Sequence, residues 1–209
     1  MNIFLIITIV VSASLYIWAS YGNRQLVIYI TKPVTTSLII VLAFLQDPGV
    51  HDLYRTLIIA GLFFSLLGDI FLMLKSDKFV QGLVSFLIAH IFFIIAFSSG
   101  FGPYLEISYL IPAAIYTTIF LWILLPKTGK LMIPVTVYAL VLLVFLWQAT
   151  GRFYYLAGSS ALLSFIGAIL FVTSDSILGY TRFVKKSRAS TFLIHVTYWG
   201  ALLLIALSI

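Results

Sequence analysis

Eight long apolar stretches separated by short polar breaks dominate this sequence and restrict it to one class of fold. A helix needs about 20 apolar residues to cross the hydrocarbon of a bilayer. Backbone groups inside lipid must satisfy their own hydrogen bonds, so spans of this kind fold as α-helices. We therefore predict an all-α integral membrane protein with eight transmembrane helices, over residues 3–21, 26–45, 56–75, 81–98, 107–125, 131–149, 155–180 and 191–209.

Composition excludes a soluble enzyme and several kinds of chemistry. Apolar residues make up 63% of the chain and charged residues only 9%, with a mean hydropathy of +1.18. The absence of cysteine excludes disulfides, thiolate nucleophiles and cysteine-ligated metals. No Lys or Arg precedes the first apolar run and no A-x-A-like cleavage site follows it, which favours a first span over a removable signal peptide. The breaks are too short for a second domain, so we expect one transmembrane domain over 1–209.

Basic residues indicate the orientation in the membrane. The loops after spans 1, 3, 5 and 7 hold nine Lys and Arg residues, whereas the opposite side holds only Arg55 and Arg152. The positive-inside rule then places both termini outside the cytosol. The net charge of +6 is explained by this topology and by contact with anionic headgroups, so a nucleic-acid partner is not expected. Short loops and the lack of a retention signal favour a bacterial inner membrane.

A self-comparison indicates two related halves, over about 1–103 and 104–209. Three pairs of segments match at offsets of 101 to 106 residues: Pro33-Val34-Thr35 with Pro134-Val135-Thr136, the interval 61–69 with 167–175, and 86–90 with 192–195. Each half has an even number of spans, so the halves run in the same direction. We therefore predict a parallel four-plus-four repeat about an axis along the membrane normal, with a site at its interface.

Two aspartates, Asp69 and Asp175, lie inside apolar spans, each eight residues after a glycine. A carboxylate at membrane depth costs about 2.5–3.5 kcal/mol on insertion scales, so it usually has a function. Counting the helical rise from the span ends puts both aspartates, Lys32 and His195 roughly 6–10 Å deep on the cytosolic side, with His90 deeper. The sequence predicts a paired-carboxylate site in this layer.

Each of these polar residues also has a structural interpretation. The aspartates could form a proton-sharing or ion-paired cluster with Lys32 that only holds helices together, and Lys32 could extend to the interface. Either histidine could simply donate to a helix carbonyl, and the aromatic residues could be core or belt side chains. Small residues let helices approach closely; we expect this role for Gly61, Gly68, Gly167 and Ser174. The sequence has no HExxH or His-x-x-His spacing, so we expect no metal site.

Four segments together resemble the YhhN-type lysoplasmalogenase family over most of the chain. They are Lys32-Pro33, Gly68-Asp69 with Leu72, the run Phe86 to His90, and Gly167-Ala168 through Phe171 to Ser174-Asp175. The resemblance implies a membrane hydrolase that cleaves the vinyl ether bond of lysoplasmalogens. Its products would be a fatty aldehyde and glycerophosphoethanolamine or glycerophosphocholine. Besides this lysophospholipid substrate, the expected partners are membrane lipids, with no cofactor.

Paired carboxyls suit this implied reaction. A vinyl ether is hydrolysed by protonation of its β-carbon, and water then attacks the resulting oxocarbenium ion. Two carboxyls forced together in a low dielectric do not both ionise readily, so one can serve as general acid while the other stabilises the cation. We predict Asp69 and Asp175 as catalytic residues, with their individual roles open. The predicted substrate contacts are Lys32, to phosphate, and His90, Tyr138, His195 and Tyr198.

Two other functions fit parts of the pattern. Parallel repeats with intramembrane acids also occur in small proton-coupled transporters, which is the main alternative. An intramembrane aspartyl protease is disfavoured, because Leu66 occupies the position that would complete Gly-x-Gly-Asp and no tyrosine precedes Asp175.

Overall fold

A computed structural model describes residues 3–46, 52–74, 76–100 and 102–209. The described residues form eight α-helices and two short 3-10 turns, 125–127 and 129–131, and all eight helices are long and apolar enough to cross a membrane. This confirms the predicted fold class. The helices are α1 (Ile3–Tyr21), α2 (Gln25–Phe44), α3 (Asp52–Met73), α4 (Phe79–Ser98), α5 (Ile107–Leu124), α6 (Met132–Leu156), α7 (Ser159–Phe183) and α8 (Arg188–Leu207).

The break predicted at residues 150–153 is wrong, because α6 continues through it to Leu156. Gly151 is helical and buried there, and a Cβ added to it would lie 2.1 Å from the ring of Tyr104. The guanidinium of Arg152 stacks 4.1 Å from the ring centre of Tyr54. Gly151 and Arg152 thus pack α6 against other parts of the chain and do not end the helix. The chain turns at Ala157, whose φ is +45°.

Within each half, helices that follow one another pack side by side. The closest pairs are α3 with α4 and α7 with α8, and within each half α1 packs on α2, α2 on α3, α5 on α6 and α6 on α7. Between the halves, α4 packs on α6 and α2 packs on α8, with further contacts from α1 and α3 to α8. The parallel four-plus-four repeat stays a prediction.

Glycines allow the two closest helix pairs to approach. A Cβ on Gly61 would lie 2.3 Å from the ring of Phe93, and one on Gly68 would lie 2.6 Å from Phe86. In the second pair, a Cβ on Gly167 would meet α8 at 2.8 Å. These contacts confirm that the three glycines allow close helix approach, and they carry α3 and α7, with their aspartates, against the neighbouring helices.

An ion pair joins two loops at one end of the bundle. Arg182, at the end of α7, donates to Asp77 at 2.6 Å, and its guanidinium lies 4.8 Å from the ring centre of Phe79. Hydrogen bonding to Arg182 lowers the pKa of Asp77 below its ordinary value. The loops after α3 and α7 therefore share one face, as the distribution of basic residues requires. Of the basic residues predicted for this face, Lys75 and the side chain of Arg188 lie outside the described part.

Candidate active site

Asp69 lies near the end of α3, is 1% exposed and is held by three neighbours. Lys32 on α2 places Nζ 3.3 Å from Oδ1, and the same Nζ donates to the Asp69 backbone carbonyl at 3.4 Å. Thr36 Oγ1 and Tyr198 OH donate to Oδ2 at 2.6 and 2.9 Å. Trp199 Nε1 donates to Thr36 Oγ1 at 3.2 Å, which orients that hydroxyl. Asp69 is thus a fully hydrogen-bonded carboxylate with a cation beside it.

Asp175 on α7 has a different environment. Tyr138 OH, on α6, donates to Asp175 Oδ2 at 2.5 Å. Within the described ranges no cation lies within ion-pair distance of Asp175. The preceding residue, Ser174, donates to the Ile194 carbonyl at 3.0 Å and fixes α7 against α8. Asp175 is therefore a carboxyl held by one neutral hydroxyl, and it stays partly exposed.

Both aspartates line one polar cavity of about 310 Å³. This cavity lies among α1, α2, α3, α7 and α8, with Phe86 contributed by α4. Its polar side chains are Tyr16, Gln25, Lys32, Asp69, Ser174, Asp175, Thr191, His195 and Tyr198. The sequence predicted a site at the interface of the two halves, and helices of both halves line this cavity.

A second, apolar cavity adjoins the first. It lies among α4, α5, α6 and α7 and is lined almost entirely by aliphatic and aromatic side chains. Four residues line both cavities: Leu72, Phe86, Asp175 and Leu178. Asp175 is therefore a carboxyl at the junction of a polar space and an apolar one.

His195 contributes to the wall of the polar cavity. Its Nδ1 bonds to the Thr191 carbonyl at 2.8 Å, so Nδ1 carries the proton and Nε2 is left as an acceptor in the neutral ring. The ring lies 4.4 Å from that of Tyr16 and 5.2 Å from that of Trp199. His195 is therefore held rigidly at the cavity wall.

His90 lies behind the site. It is fully buried, its Nδ1 bonds to the Phe86 carbonyl at 2.6 Å, and its Nε2 has no partner. It does not line either cavity as described. Its ring is instead surrounded by four aromatic rings, those of Phe93, Tyr138, Phe145 and Phe171. This placement does not favour a direct contact between His90 and a substrate. The position of His90 beside Tyr138 fits a packing role.

The structure brings six of the seven predicted site residues to the cavities. Lys32, Asp69, Asp175, His195 and Tyr198 line the polar cavity, and Tyr138 lines the apolar one while bonding Asp175. Sequence reasoning missed Thr36, although its spacing of one helical turn from Lys32 puts the two on one face. It also missed Tyr16 and gave Trp199 only the role of a core or belt residue, because nothing in the sequence shows that α1 and α8 are neighbours.

Metal ligation has no support in the described part of the chain, where no group of three or more His, Cys, Asp or Glu side chains could hold an ion. The chemistry available is that of carboxyl, hydroxyl, ammonium and imidazole groups.

Comparison with known proteins assigns the family. The model of the YhhN family matches residues 27–209, which include every site residue except Tyr16 and Gln25. This chain belongs to the YhhN family. The finding confirms the resemblance that the aspartate motifs indicated.

Relatives of two kinds are similar to this YhhN-family chain. The membrane protein YhhN of Escherichia coli O157:H7, whose function is uncharacterised, is 27% identical over 208 residues, 97% of each chain. Human lysoplasmalogenase TMEM86B is 31% identical over 156 residues, 74% of this chain and 64% of the relative. Human lysoplasmalogenase TMEM86A is 32% identical over 158 residues, 73% and 65% of the two chains. No solved structure matches this chain.

Proposed function

We propose that this protein is a lysoplasmalogenase, which hydrolyses the vinyl ether bond of lysoplasmalogens to a fatty aldehyde and a glycerophospho-alcohol. Two relatives that bear this name, at about 30% identity, support the assignment. The observation that carries it is the position of Asp175, where the polar and the apolar cavity meet. A lysoplasmalogen has its vinyl ether at the same kind of junction, between a polar glycerophosphate and a hydrocarbon chain.

The surroundings of the two aspartates support different roles. Asp69 has the Lys32 ammonium 3.3 Å away and accepts from two hydroxyls, so its negative charge is balanced and solvated by the protein. Asp175 has only the Tyr138 hydroxyl. A charge at membrane depth without a counter-charge is costly, so the neutral acid form suits Asp175. We therefore propose Asp175 as general acid and Asp69 as the carboxylate that stabilises the cation.

The reaction then proceeds in balanced steps. Asp175 gives its proton to the β-carbon, and the ether oxygen shares the positive charge as an oxocarbenium ion. Water in the polar cavity adds to the α-carbon and returns a proton to Asp175, which yields a hemiacetal. The hemiacetal C–O bond breaks, the glycerol oxygen takes up a proton and the hemiacetal hydroxyl loses one. Fixed charges such as Asp69 stabilise the cation because they need no reorganisation during the reaction.

Lys32 and His195 are proposed as headgroup contacts. The Lys32 ammonium has three N–H donors, and two of them point to the side chain and the backbone carbonyl of Asp69. The third donor can bind a phosphate oxygen in the polar cavity. The acceptor Nε2 of His195 is suited to a substrate hydroxyl. Tyr198 already donates to Asp69 and is proposed to orient it.

Aldehyde release by the purified protein in detergent tests the proposal. Choline and ethanolamine lysoplasmalogens are the substrates, and the matched saturated ether lysolipids are the controls, since they lack the protonatable double bond. The proposal expects aldehyde from the vinyl ethers only. A transporter with this fold would release none from either, and that result would overturn the proposal.

A further inference from the structure

The apolar cavity has the form of a binding site for one hydrocarbon chain. Its floor on α6 is a stripe of side chains three to four residues apart, from Val135 through Ala139 and Leu142 to Leu146, which share one helix face. The facing wall comes from α4, with Phe79, Leu83 and Phe86, and from α5, with Tyr116 and Phe120. Most of this surface is aliphatic or aromatic, so it suits methylene groups.

Along α6 the cavity continues past the proposed acid, away from the end of the bundle where Phe79 and Phe183 line it. Tyr138, which bonds Asp175, lies eight residues before Leu146 on α6. Eight residues of helix rise by about 12 Å. An extended hydrocarbon chain advances by roughly 1.25 Å per carbon, for bonds of about 1.52 Å meeting at about 111°. A chain whose first carbons lie at Asp175 would therefore reach Leu146 after roughly ten carbons.

Helices α4 and α5 both line the cavity but make little contact with each other. Helix α5 packs on α6 and α7, whereas α4 packs on α3 and α6, so the walls from α4 and α5 face each other across the cavity. Helix α5 is peripheral, with only Ala113 and Leu124 buried. One hydrogen bond, from Tyr116 OH to Ser176 Oγ at 2.7 Å, ties α5 to α7 one residue after Asp175. A lipid chain lying in the membrane can thus slide between α4 and α5 without leaving hydrocarbon.

We propose that the apolar cavity binds the alkenyl chain of the substrate, that the chain enters between α4 and α5, and that Leu142 and Leu146 set the preferred chain length. This inference rests on the proposed function for the identity of the chain. The position of Asp175 in the lining of both cavities supports this occupant, because a lipid with its chain in one cavity and its glycerophosphate in the other presents the vinyl ether to that carboxyl.

Substitutions that fill the deep end of the cavity test the length preference. Leu146→Trp and Leu142→Trp place a large ring in the path of the chain, and Leu140→Trp is the matched control, because Leu140 lies on the same helix and is 48% exposed toward lipid. Aldehyde release is measured with alkenyl chains of roughly 8 and 18 carbons, which end before and beyond Leu146. We expect kcat/KM for the long chain to fall about tenfold or more in both cavity variants. The short-chain value should stay within about twofold of wild type in Leu146→Trp. It should fall in Leu142→Trp, because a chain of roughly eight carbons already passes Leu142. Leu140→Trp should leave both values unchanged.

A binding measurement keeps the chain site testable even if the protein releases no aldehyde. A saturated ether lysophosphoethanolamine with a diazirine about ten carbons along its chain is photolysed with the wild-type protein, and the labelled residues are mapped by mass spectrometry. We expect labelling within residues 142–146 of α6 and its loss when excess unlabelled lysolipid is added. Labelling spread over lipid-facing residues such as Leu140, or unchanged by competitor, would overturn the chain site.

The two readouts separate the two proposals. Competed labelling without aldehyde release would retain the chain site and refute the lysoplasmalogenase assignment. Aldehyde release with the same chain-length profile in wild type and in both cavity variants would retain the assignment and refute the chain site. If Leu146→Trp folds poorly, it loses short-chain activity as well, and Leu146→Ala then replaces it, with the reverse expectation of a shift toward longer chains.

Discussion

The ion pair between Lys32 and Asp69 should be coupled strongly enough to measure. The Lys32 and Asp69 side chains are only 8% and 2% exposed, with Nζ 3.3 Å from Oδ1. Lys32→Met removes the charge at similar length and leaves a buried carboxylate with the two hydroxyl donors of Thr36 and Tyr198. Breaking a buried pair from one side typically costs about 3–5 kcal/mol, because the remaining charge has no partner. We expect a loss of that size in the free energy of unfolding.

The double variant decides whether the cost comes from the lost partner. Asp69→Asn removes the second charge while its amide oxygen still accepts from Thr36 and Tyr198, so Lys32→Met with Asp69→Asn should lie within about 1 kcal/mol of wild type. The assay is equilibrium unfolding of the four proteins in mixed micelles, read as a double-mutant cycle. A coupling energy of at least about 2 kcal/mol is expected. Costs that add within about 0.5 kcal/mol, as for independent sites, would refute the reasoning.

The same lysine variant separates two catalytic roles. If Lys32 acts mainly by contacting phosphate, Lys32→Met raises KM more than it lowers kcat. If it acts mainly by balancing the charge of Asp69, kcat falls and KM changes little. The short distance to Asp69 leads us to expect a fall in kcat alongside any rise in KM.

Three further outcomes follow from single contacts. Asp175→Asn should lower turnover by at least about 100-fold in a folded protein, as expected when a general acid is lost, and near-normal turnover would remove Asp175 from the chemistry. Tyr138→Phe removes the 2.5 Å donor to Asp175 and should lower kcat by about tenfold or more, with KM nearly constant, because this hydrogen bond stabilises the carboxylate that forms as Asp175 gives up its proton. Gly61→Ala should destabilise the protein by about 1–3 kcal/mol, since its Cβ would lie 2.3 Å from the fully buried Phe93 ring. Adding Phe93→Leu to this variant should recover part of the loss. Unfolding titrations of the single and the double variant check both expectations.

Helix number and type followed from hydropathy, but some boundaries did not. Residues Gly151 and Arg152 appear as a break in the sequence, yet both lie inside α6 because they pack against Tyr104 and Tyr54. These partners belong to the loop before α5 and to α3. The hydropathy of one chain segment contains no information on contacts with distant segments, so the sequence predicted the end of α6 too early.

The sequence by itself determined that the chain spans a membrane as helices and that Asp69 and Asp175 lie inside them. Both results depend on local free energies, those of burying apolar side chains and of placing a carboxylate in hydrocarbon. Helical rise along each span also predicted that Lys32 and His195 share a layer with the aspartates, and both line the polar cavity.

Only the tertiary structure decided how the two aspartates differ and where the cavities lie. Tyr198 reaches Asp69 across 129 residues of sequence, whereas Tyr138 reaches Asp175 from the neighbouring helix α6. His90, which the sequence indicated as a substrate contact, is instead enclosed by aromatic rings. Helical periodicity determines which residues share a face of one helix, but the partner of that face depends on how eight helices pack together. Within lipid, that packing follows from shape complementarity and small residues, because an apolar helix face gains no hydrophobic free energy by exchanging lipid contacts for protein contacts.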